Sequence, residues 1–299
     1  MNLLYNSSNF INSLDNKSTK AIGIWKFSFL LYFLGSIGNG LIVIYFLCKH
    51  KRSMIKMSSY HFLITILAAV DLLVCIENGC WYLMAPHGGN YPHLMMWLIR
   101  LTLRSFSCWM LVLISFERFR GIVHPLKVKL SKIRFLVLAI IIFLVLFSIY
   151  MAAVLRMYSV TDLERLLWIV LSTTLLETVP PISLMCGFYW RISRNIITGI
   201  AQSTTPGNYK LILKRKKKVM HVLKLLIMAY CVCVVPGRIY KLIDELMFRY
   251  FKVNATQSDL YNAAELLMYL NNMVNVIIYA YMMNNFRRFL LKAFTCSIF

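Results

Sequence analysis

Long apolar runs separated by short polar segments divide most of the chain. Seven runs reach the roughly twenty residues that an α-helix needs to cross about 30 Å of hydrocarbon. They predict membrane spans near residues 22–48, 58–85, 94–122, 133–155, 166–192, 219–246 and 260–283. An amphipathic segment, NNFRRFLLKAF, follows the last run and predicts a short eighth helix. The pattern therefore predicts an all-α protein, a seven-transmembrane helix bundle.

Composition and charge agree with a membrane location. Hydrophobic residues make up 60% of the 299, more than a soluble core of this size buries. The 33 Lys and Arg against 11 Asp and Glu give a net charge of +22. Much of this charge lies in CKHKRSMIK, RFRGIVHPLKVKLSKIR and YKLILKRKKK, which connect spans one to two, three to four and five to six. The positive-inside bias places these loops in the cytoplasm, beside anionic membrane lipids, and the N-terminus outside the cell. We therefore expect no nucleic-acid partner.

This topology divides the chain into an extracellular N-terminal tail at 1–21, a seven-transmembrane domain at 22–283, and a cytoplasmic amphipathic helix and short tail at 284–299. Three N-x-S/T sequons, at Asn6, Asn16 and Asn254, fall on the predicted outer side and are candidate glycosylation sites. Cys296 follows the amphipathic segment and is a candidate for palmitoylation.

Several motifs occur in a fixed order along these spans. Span one carries GSIGNGLIVIYF, span two FLITILAAVDLL, the end of span three SFERFRGIVHPL, and span seven YLNNMVNVIIYAYMMNNFRRF. Pro181 and Pro236 lie in spans five and six. The chain therefore resembles the rhodopsin-like (class A) G-protein-coupled receptors over its whole length, as a divergent member. The resemblance implies a plasma-membrane receptor that transmits an extracellular ligand signal to a heterotrimeric G-protein.

The resemblance also implies which residues couple to the G-protein. Arg118, paired with Glu117 in the resting state, would be released when span six swings outward. Charged groups within a bilayer are functional candidates by default. The full set that we expect at the coupling surface is Glu117, Arg118, Phe119, Pro125, Leu126, Tyr189 and Tyr279.

Asp71 is a carboxylate in the middle of span two. On the family's pattern it faces Ser107, Asn271 and Asn275, oxygen ligands that suit a hard cation such as sodium. A hydrogen-bond network without an ion remains the alternative. We expect no other cofactor, and no retinal, because Tyr269 stands where light-sensing relatives carry the retinal lysine.

The chain also departs from the family's pattern. His93 stands at the position of the usual span-three cysteine, Val234 replaces the toggle tryptophan of span six, and Val276 replaces the proline of span seven. Counting back from Pro236 places Lys216 where the family often has an acid that restrains Arg118. Repulsion in place of that restraint predicts a resting state only weakly favoured over the active one.

Charged residues in the outer halves of the spans mark the expected ligand pocket. Its candidate residues are Arg100, Arg104, Glu177, Arg238 and Glu265. Arginines bind carboxylates through forked, charge-assisted hydrogen bonds, which favours an anionic ligand: a small acid, a lipid acid or a peptide carboxylate. The alternative is that the glutamates already neutralise the arginines. Arg100 stands where amine receptors place an acid, which disfavours a biogenic amine.

Other functions remain as alternatives. A chemosensory receptor for environmental small molecules fits the same fold. A multispan transporter would show inverted repeats and broken helices, and neither appears in the sequence. An enzyme would need a His or acid cluster with catalytic or metal spacing; His61 and His221 are isolated, so we expect no enzymatic activity.

Overall fold

The structure is a computed structural model that describes residues 2–49, 57–84, 93–124, 130–156, 171, 174–202, 206–251 and 259–295. Helices account for nearly all of these residues. Their bounds are α1 Asn2–Lys49, α2 Ser59–Met84, α3 His93–Val123, α4 Lys132–Arg156, α5 Val179–Gln202, α6 Pro206–Cys233, α7 Val235–Phe251, α8 Asp259–Met282 and α9 Asn284–Phe294. The all-α prediction is confirmed.

Most of the predicted spans coincide with helices. Five helical stretches of the described ranges are long and apolar enough to cross a membrane, one of them running from Lys216 to Asp244 through α6 and α7, and the bent pair of α8 and α9 raises this to six. The predicted fifth span, 166–192, overlaps α5, but 166–170, 172 and 173 lie outside the described residues. Within the predicted tail 1–21, α1 already begins at Asn2. The sixth span consists of two helices, α6 and α7.

Helix α3 lies at the centre of the bundle and packs against α2, α4, α5 and α6. In its most apolar stretch 72% of the residues are buried, against 22% in α4, which faces outward along most of its length. Leu144 and Ile133 of α4, for example, are exposed. Apolar side chains at the periphery are expected where the solvent is lipid.

The sixth span is broken at Val234. Pro236 has no backbone N–H and cannot continue the hydrogen-bond ladder of α6. The backbone bridges the break through Val234 N–H to Tyr230 O at 2.9 Å and Arg238 N–H to Val234 O at 3.1 Å. Beyond the break, Gly237 lies against Met268 and the backbone oxygen of Ala264, so α7 approaches α8 closely.

The predicted amphipathic helix is present as α9. Its axis is bent by 106° from that of α8. Phe286 is buried against Tyr45 of α1, with ring centroids 5.2 Å apart. Leu291 on the same helix is 60% exposed, as expected for a helix that lies along a lipid surface.

Candidate functional site

Two polar regions lie at opposite ends of the bundle, and the buried acid Asp71 lies between them. We call them the Arg118 end and the Arg104 half. The Arg118 end is formed by the ends of α1, α2, α3, α6 and α8 and the start of α9. The Arg104 half contains the ion pairs of α2, α3, α7 and α8 and the residues that lead into α5.

Arg118 projects into a cavity of about 530 Å³. Its Nε lies 3.3 Å from a carboxylate oxygen of Glu117, so the predicted acid–arginine pair is formed. Its guanidinium carbon also lies 3.2 Å from the ring centroid of Tyr60 on α2. A guanidinium stacked over an aromatic face is stabilised by cation–π attraction. Tyr60 therefore restrains Arg118 in addition to Glu117.

The remaining predicted coupling residues are not all in this cavity. Tyr279 lines it, and its ring is 2% exposed. Phe119 is buried and stacks on Phe188 with ring centroids 5.3 Å apart. Tyr189 packs against the buried apolar cluster that contains Phe119, and it is not among the described residues that line the cavity. The other two, Pro125 and Leu126, lie outside the described residues.

Lys218 of α6 lines the cavity, whereas Lys216 does not belong to the lining within the described chain. Lys216 and Lys218 are two residues apart on one α-helix, so they point to different faces. A basic residue still stands where the family often has an acid.

Asp71 lies between the two regions and is fully buried. The Ser107 hydroxyl donates a hydrogen bond to Oδ1 at 2.5 Å, and the Asn275 amide donates to Oδ2 at 2.9 Å. Asn271 is buried one turn from Asn275, and within the described residues it makes no hydrogen bond to Asp71. Three of the four predicted members thus form one buried network.

In the Arg104 half, one ion pair sits at the centre of a polar hub formed by Ser105, Tyr150, Glu177, Tyr230 and Arg238. Glu177 is fully buried and paired with Arg238. The Ser105 hydroxyl donates to its carboxylate at 2.6 Å, and the Tyr150 hydroxyl lies 3.4 Å from the same oxygen. The Tyr230 hydroxyl donates to the backbone oxygen of Glu177. The hub joins α3, α4, α6 and α7 to the residues that lead into α5.

Two further pairs neutralise other charges of this half. Arg100 binds Glu77 with a fork: Nε lies 3.0 Å from Oε2 and Nη2 lies 3.0 Å from Oε1. Lys241 lies 2.5 Å from Glu265, which also accepts a hydrogen bond from Tyr269. Two of the predicted ligand arginines, Arg100 and Arg238, are therefore already paired with glutamates.

Arg104 differs from these cations. It lies one helical turn from Arg100, close enough to Tyr32, Tyr269 and Glu265 to interact with them electrostatically. Within the described residues it makes no ion pair within 4.0 Å and no hydrogen bond. An arginine side chain presents five N–H donors, and an intramembrane charge requires a polar partner. Among the described arginines of this half, Arg104 is the one without a paired glutamate.

Some of these contacts could not be found from the sequence. Tyr60, Lys218 and Ser105 carry no motif, and their roles depend on which helix faces meet. Glu77 is an acid within a predicted span, but the sequence does not indicate that it pairs with Arg100. The candidate modification sites remain predictions: Cys296 and Asn254 lie outside the described residues, and for Asn6 and Asn16 only the helical backbone is described.

Comparison with known proteins gives a consistent family. A family model described as "7 transmembrane receptor (rhodopsin family)" matches residues 38–279. The chain is 25% identical to the Allatostatin-A receptor of Bombyx mori over 291 residues, 88% of this chain and 77% of that receptor. It is 35% identical to the Tachykinin-like peptides receptor 86C of Drosophila melanogaster over 126 residues, 40% of this chain but only 24% of that receptor.

Proposed function

The chain belongs to the rhodopsin family of seven-transmembrane receptors, and we propose that it transmits the binding of an extracellular anionic peptide to heterotrimeric G-proteins. Its family makes it a multi-pass membrane receptor and not an enzyme. We place it in the plasma membrane with the N-terminus outside and the Arg118 end in the cytoplasm. The Lys- and Arg-rich connections of the sequence support this orientation.

The cavity around Arg118 is the observation that carries the coupling role. It is lined in part by α6, the first helix of the broken sixth span, and a groove of this kind accepts a helix from a partner. Arg118 is restrained there by a neighbouring acid and an aromatic ring. Both contacts can be exchanged for contacts with a partner without unfolding the bundle.

Nucleotide exchange tests this role directly. Membranes that contain the chain should accelerate GTP binding to a G-protein above receptor-free membranes. Arg118→Ala should abolish the acceleration at near-normal surface expression, because Arg118 is interfacial and only partly buried. Arg120→Ala is the matched control, since Arg120 lies two residues away and outside the described cavity lining. Full exchange by Arg118→Ala would contradict the assignment.

Arg104 supports an anionic group on the ligand. A peptide is favoured over the other acids because one of the matched relatives is named as a tachykinin-like peptides receptor. The three glutamates of this half, Glu77, Glu177 and Glu265, already form ion pairs with Arg100, Arg238 and Lys241. A carboxylate that enters this half would therefore meet Arg104 without having to displace a paired acid.

Substitution of the two neighbouring arginines separates ligand binding from folding. For a peptide agonist with a carboxylate, Arg104→Gln should lower potency by about tenfold or more, as expected for loss of a charge-assisted hydrogen bond. The amidated form of the same peptide should lose much less. Arg100→Gln should instead reduce the folded yield, because it leaves the Glu77 carboxylate without its cation. Glu77→Gln in the same chain should restore the yield. Unchanged potency at Arg104→Gln would exclude the anionic contact.

We also propose that the Asp71 network can hold a sodium ion. Asp71, Ser107 and Asn275 supply a carboxylate, a hydroxyl and an amide, which is donor chemistry that suits a hard cation. A bound ion would supply positive charge to a buried carboxylate and so stabilise the resting bundle. Agonist affinity should fall as sodium replaces a larger monovalent cation, and Asp71→Asn should remove that dependence.

A further inference from the structure

The charged side chains in the described lining of the cavity at the Arg118 end are all basic, and one of them, Arg118, is also paired with Glu117. Lys49, Arg118 and Lys218 line it together with the imidazole of His61, and no carboxylate side chain belongs to the described lining. Low-dielectric walls concentrate the field of like charges that share a cleft. The cavity should therefore attract anions whether or not a protein partner is present.

The start of α9 adds backbone donors to the same cavity. Met283, the N-cap residue, has an extended backbone (φ −108°, ψ 92°) and makes no side-chain cap hydrogen bond. The first hydrogen bond of α9 runs from Arg287 N–H to Met283 O at 3.0 Å. The N–H groups of residues 284–286 come before it and have no acceptor within α9. Asn284 and Asn285 line the cavity. An uncapped helix N-terminus combines free N–H groups with the positive end of the helix dipole, and both favour an anion.

A buried hydroxyl provides an independent sign of a missing partner. Tyr279 lines the cavity and is 2% exposed, yet its hydroxyl has no hydrogen-bond partner in the described structure. Buried polar groups of folded proteins are nearly always hydrogen-bonded, and an unpaired hydroxyl often marks a place for a ligand or ion. Its position on α8, four residues before Met283, places it just ahead of the start of α9.

We propose that this cavity binds a phosphate monoester, with the phosphate at the N-terminus of α9. The Tyr279 hydroxyl and the first N–H groups of α9 would donate to its oxygens, and Arg118 and Lys218 would supply positive charge. A phosphate suits the site because it carries nearly two negative charges and three acceptor oxygens. The group can belong to an inositol phospholipid headgroup or to a soluble phosphate ester, since the chemistry recognised is the same.

Direct binding to the purified full chain tests the site without any G-protein. In nanodiscs of phosphatidylcholine, the chain should bind soluble inositol 1,4,5-trisphosphate more tightly than inorganic sulfate. In a second arm, nanodiscs with a small fraction of phosphatidylinositol 4,5-bisphosphate should protect the chain against thermal unfolding. Binding in the first arm alone identifies a soluble source, and protection in the second alone identifies the lipid; either supports the site. No effect in both arms overturns it.

Matched variants distinguish this site from diffuse attraction to a basic surface. Tyr279→Phe removes only the hydroxyl, and Lys218→Gln only a charge; each should weaken binding by about threefold to tenfold. Asn284→Pro removes one N–H at a helix start that tolerates proline, after a residue that is already extended. Tyr281→Phe and Lys217→Gln are controls, because both residues are exposed and outside the described lining.

Two results of this series would overturn the proposal. One is equal loss of binding at Lys217→Gln and Lys218→Gln, which would mean unspecific attraction. The other is unchanged binding by Tyr279→Phe, which folds with the same ring in the same place. The proposal is independent of signalling: a chain that binds the phosphate but activates no G-protein would retain this site and lose only the coupling role.

Discussion

Arg118 is held in its cavity by an aromatic ring as well as by the adjacent acid. The ring of Tyr60 lies 3.2 Å from the guanidinium carbon, and Glu117 lies 3.3 Å from Nε. A neighbour on the same helix moves with Arg118, whereas Tyr60 belongs to α2 and fixes the arginine relative to a second helix. We therefore expect Tyr60 to restrain Arg118 across the bundle, as an acid of the sixth span often does in the family.

Substitution of Tyr60 should raise signalling without ligand. Tyr60→Leu removes the aromatic face, and a cation–π contact worth about 0.5–1 kcal/mol corresponds to roughly a two- to fivefold change in the active population. Tyr60→Phe keeps the face and should behave like the wild type. Basal GTP exchange per surface receptor measures both. Tyr281→Leu, an exposed aromatic of α8, is the control; equal exchange by Tyr60→Leu and Tyr60→Phe would exclude the ring contact.

At the residue scale, the sequence could identify intramembrane charges but not their partners. Glu117 and Arg118 were predicted as a pair because they are adjacent and part of a motif. The fork between Arg100 and Glu77 joins α3 to α2, and the pair Arg238–Glu177 joins α7 to the residues before α5. Such pairs depend on the rotation of each helix, which hydropathy leaves undetermined.

The spans themselves were predictable because the bilayer imposes a length of apolar sequence on each helix. The predicted bounds of four spans, the second, third, fourth and seventh, agree with the helices to within one residue at each end. The division of the sixth span at Val234 was indicated only by Pro236. That Lys218 and not Lys216 belongs to the described lining of the cavity required the structure.

Helix α7 is attached to α8 by a contact that only glycine allows. A Cβ at Gly237 would overlap the sulfur of Met268 and lie 3.0 Å from the backbone oxygen of Ala264. The methionine side chain can move, but the backbone oxygen cannot. The outer segment of the broken span is therefore seated against the seventh span by close packing as well as by the Lys241–Glu265 pair.

Gly237→Ala should destabilise the bundle by about 1–3 kcal/mol, as is usual for overpacking. Thermal unfolding of the solubilised chain measures the loss. Gly187→Ala is the matched control, because nothing lies within 4 Å of its added Cβ, and it should be neutral or slightly stabilising. Met268→Ala in the Gly237→Ala background should recover part of the loss. Similar unfolding temperatures for the Gly237 and Gly187 variants would contradict the packing argument.

On the scale of the whole molecule, two buried polar networks connect helices across the bundle. The Glu177 hub ties α3 to both halves of the sixth span, and the Asp71 network ties α2 to α3 and α8. At the Arg118 end, α6 carries Lys218 into the cavity of Arg118. Two cations that share a cavity repel each other, which favours separation of α6 from α3, the movement expected on activation.

Charge reversal at Lys218 should therefore lower signalling in the absence of ligand. Lys218→Glu replaces repulsion of Arg118 by attraction. An ion pair at a partly exposed site is worth about 0.2–1 kcal/mol, so basal GTP exchange should fall by up to roughly fivefold. Lys216→Glu introduces the same charge two residues away, outside the described cavity lining, and should have a smaller effect. The effect of Lys218→Glu should also weaken with added salt, since the interaction is screened. A stronger effect at Lys216 than at Lys218 would contradict the placement of Lys218 in the cavity of Arg118.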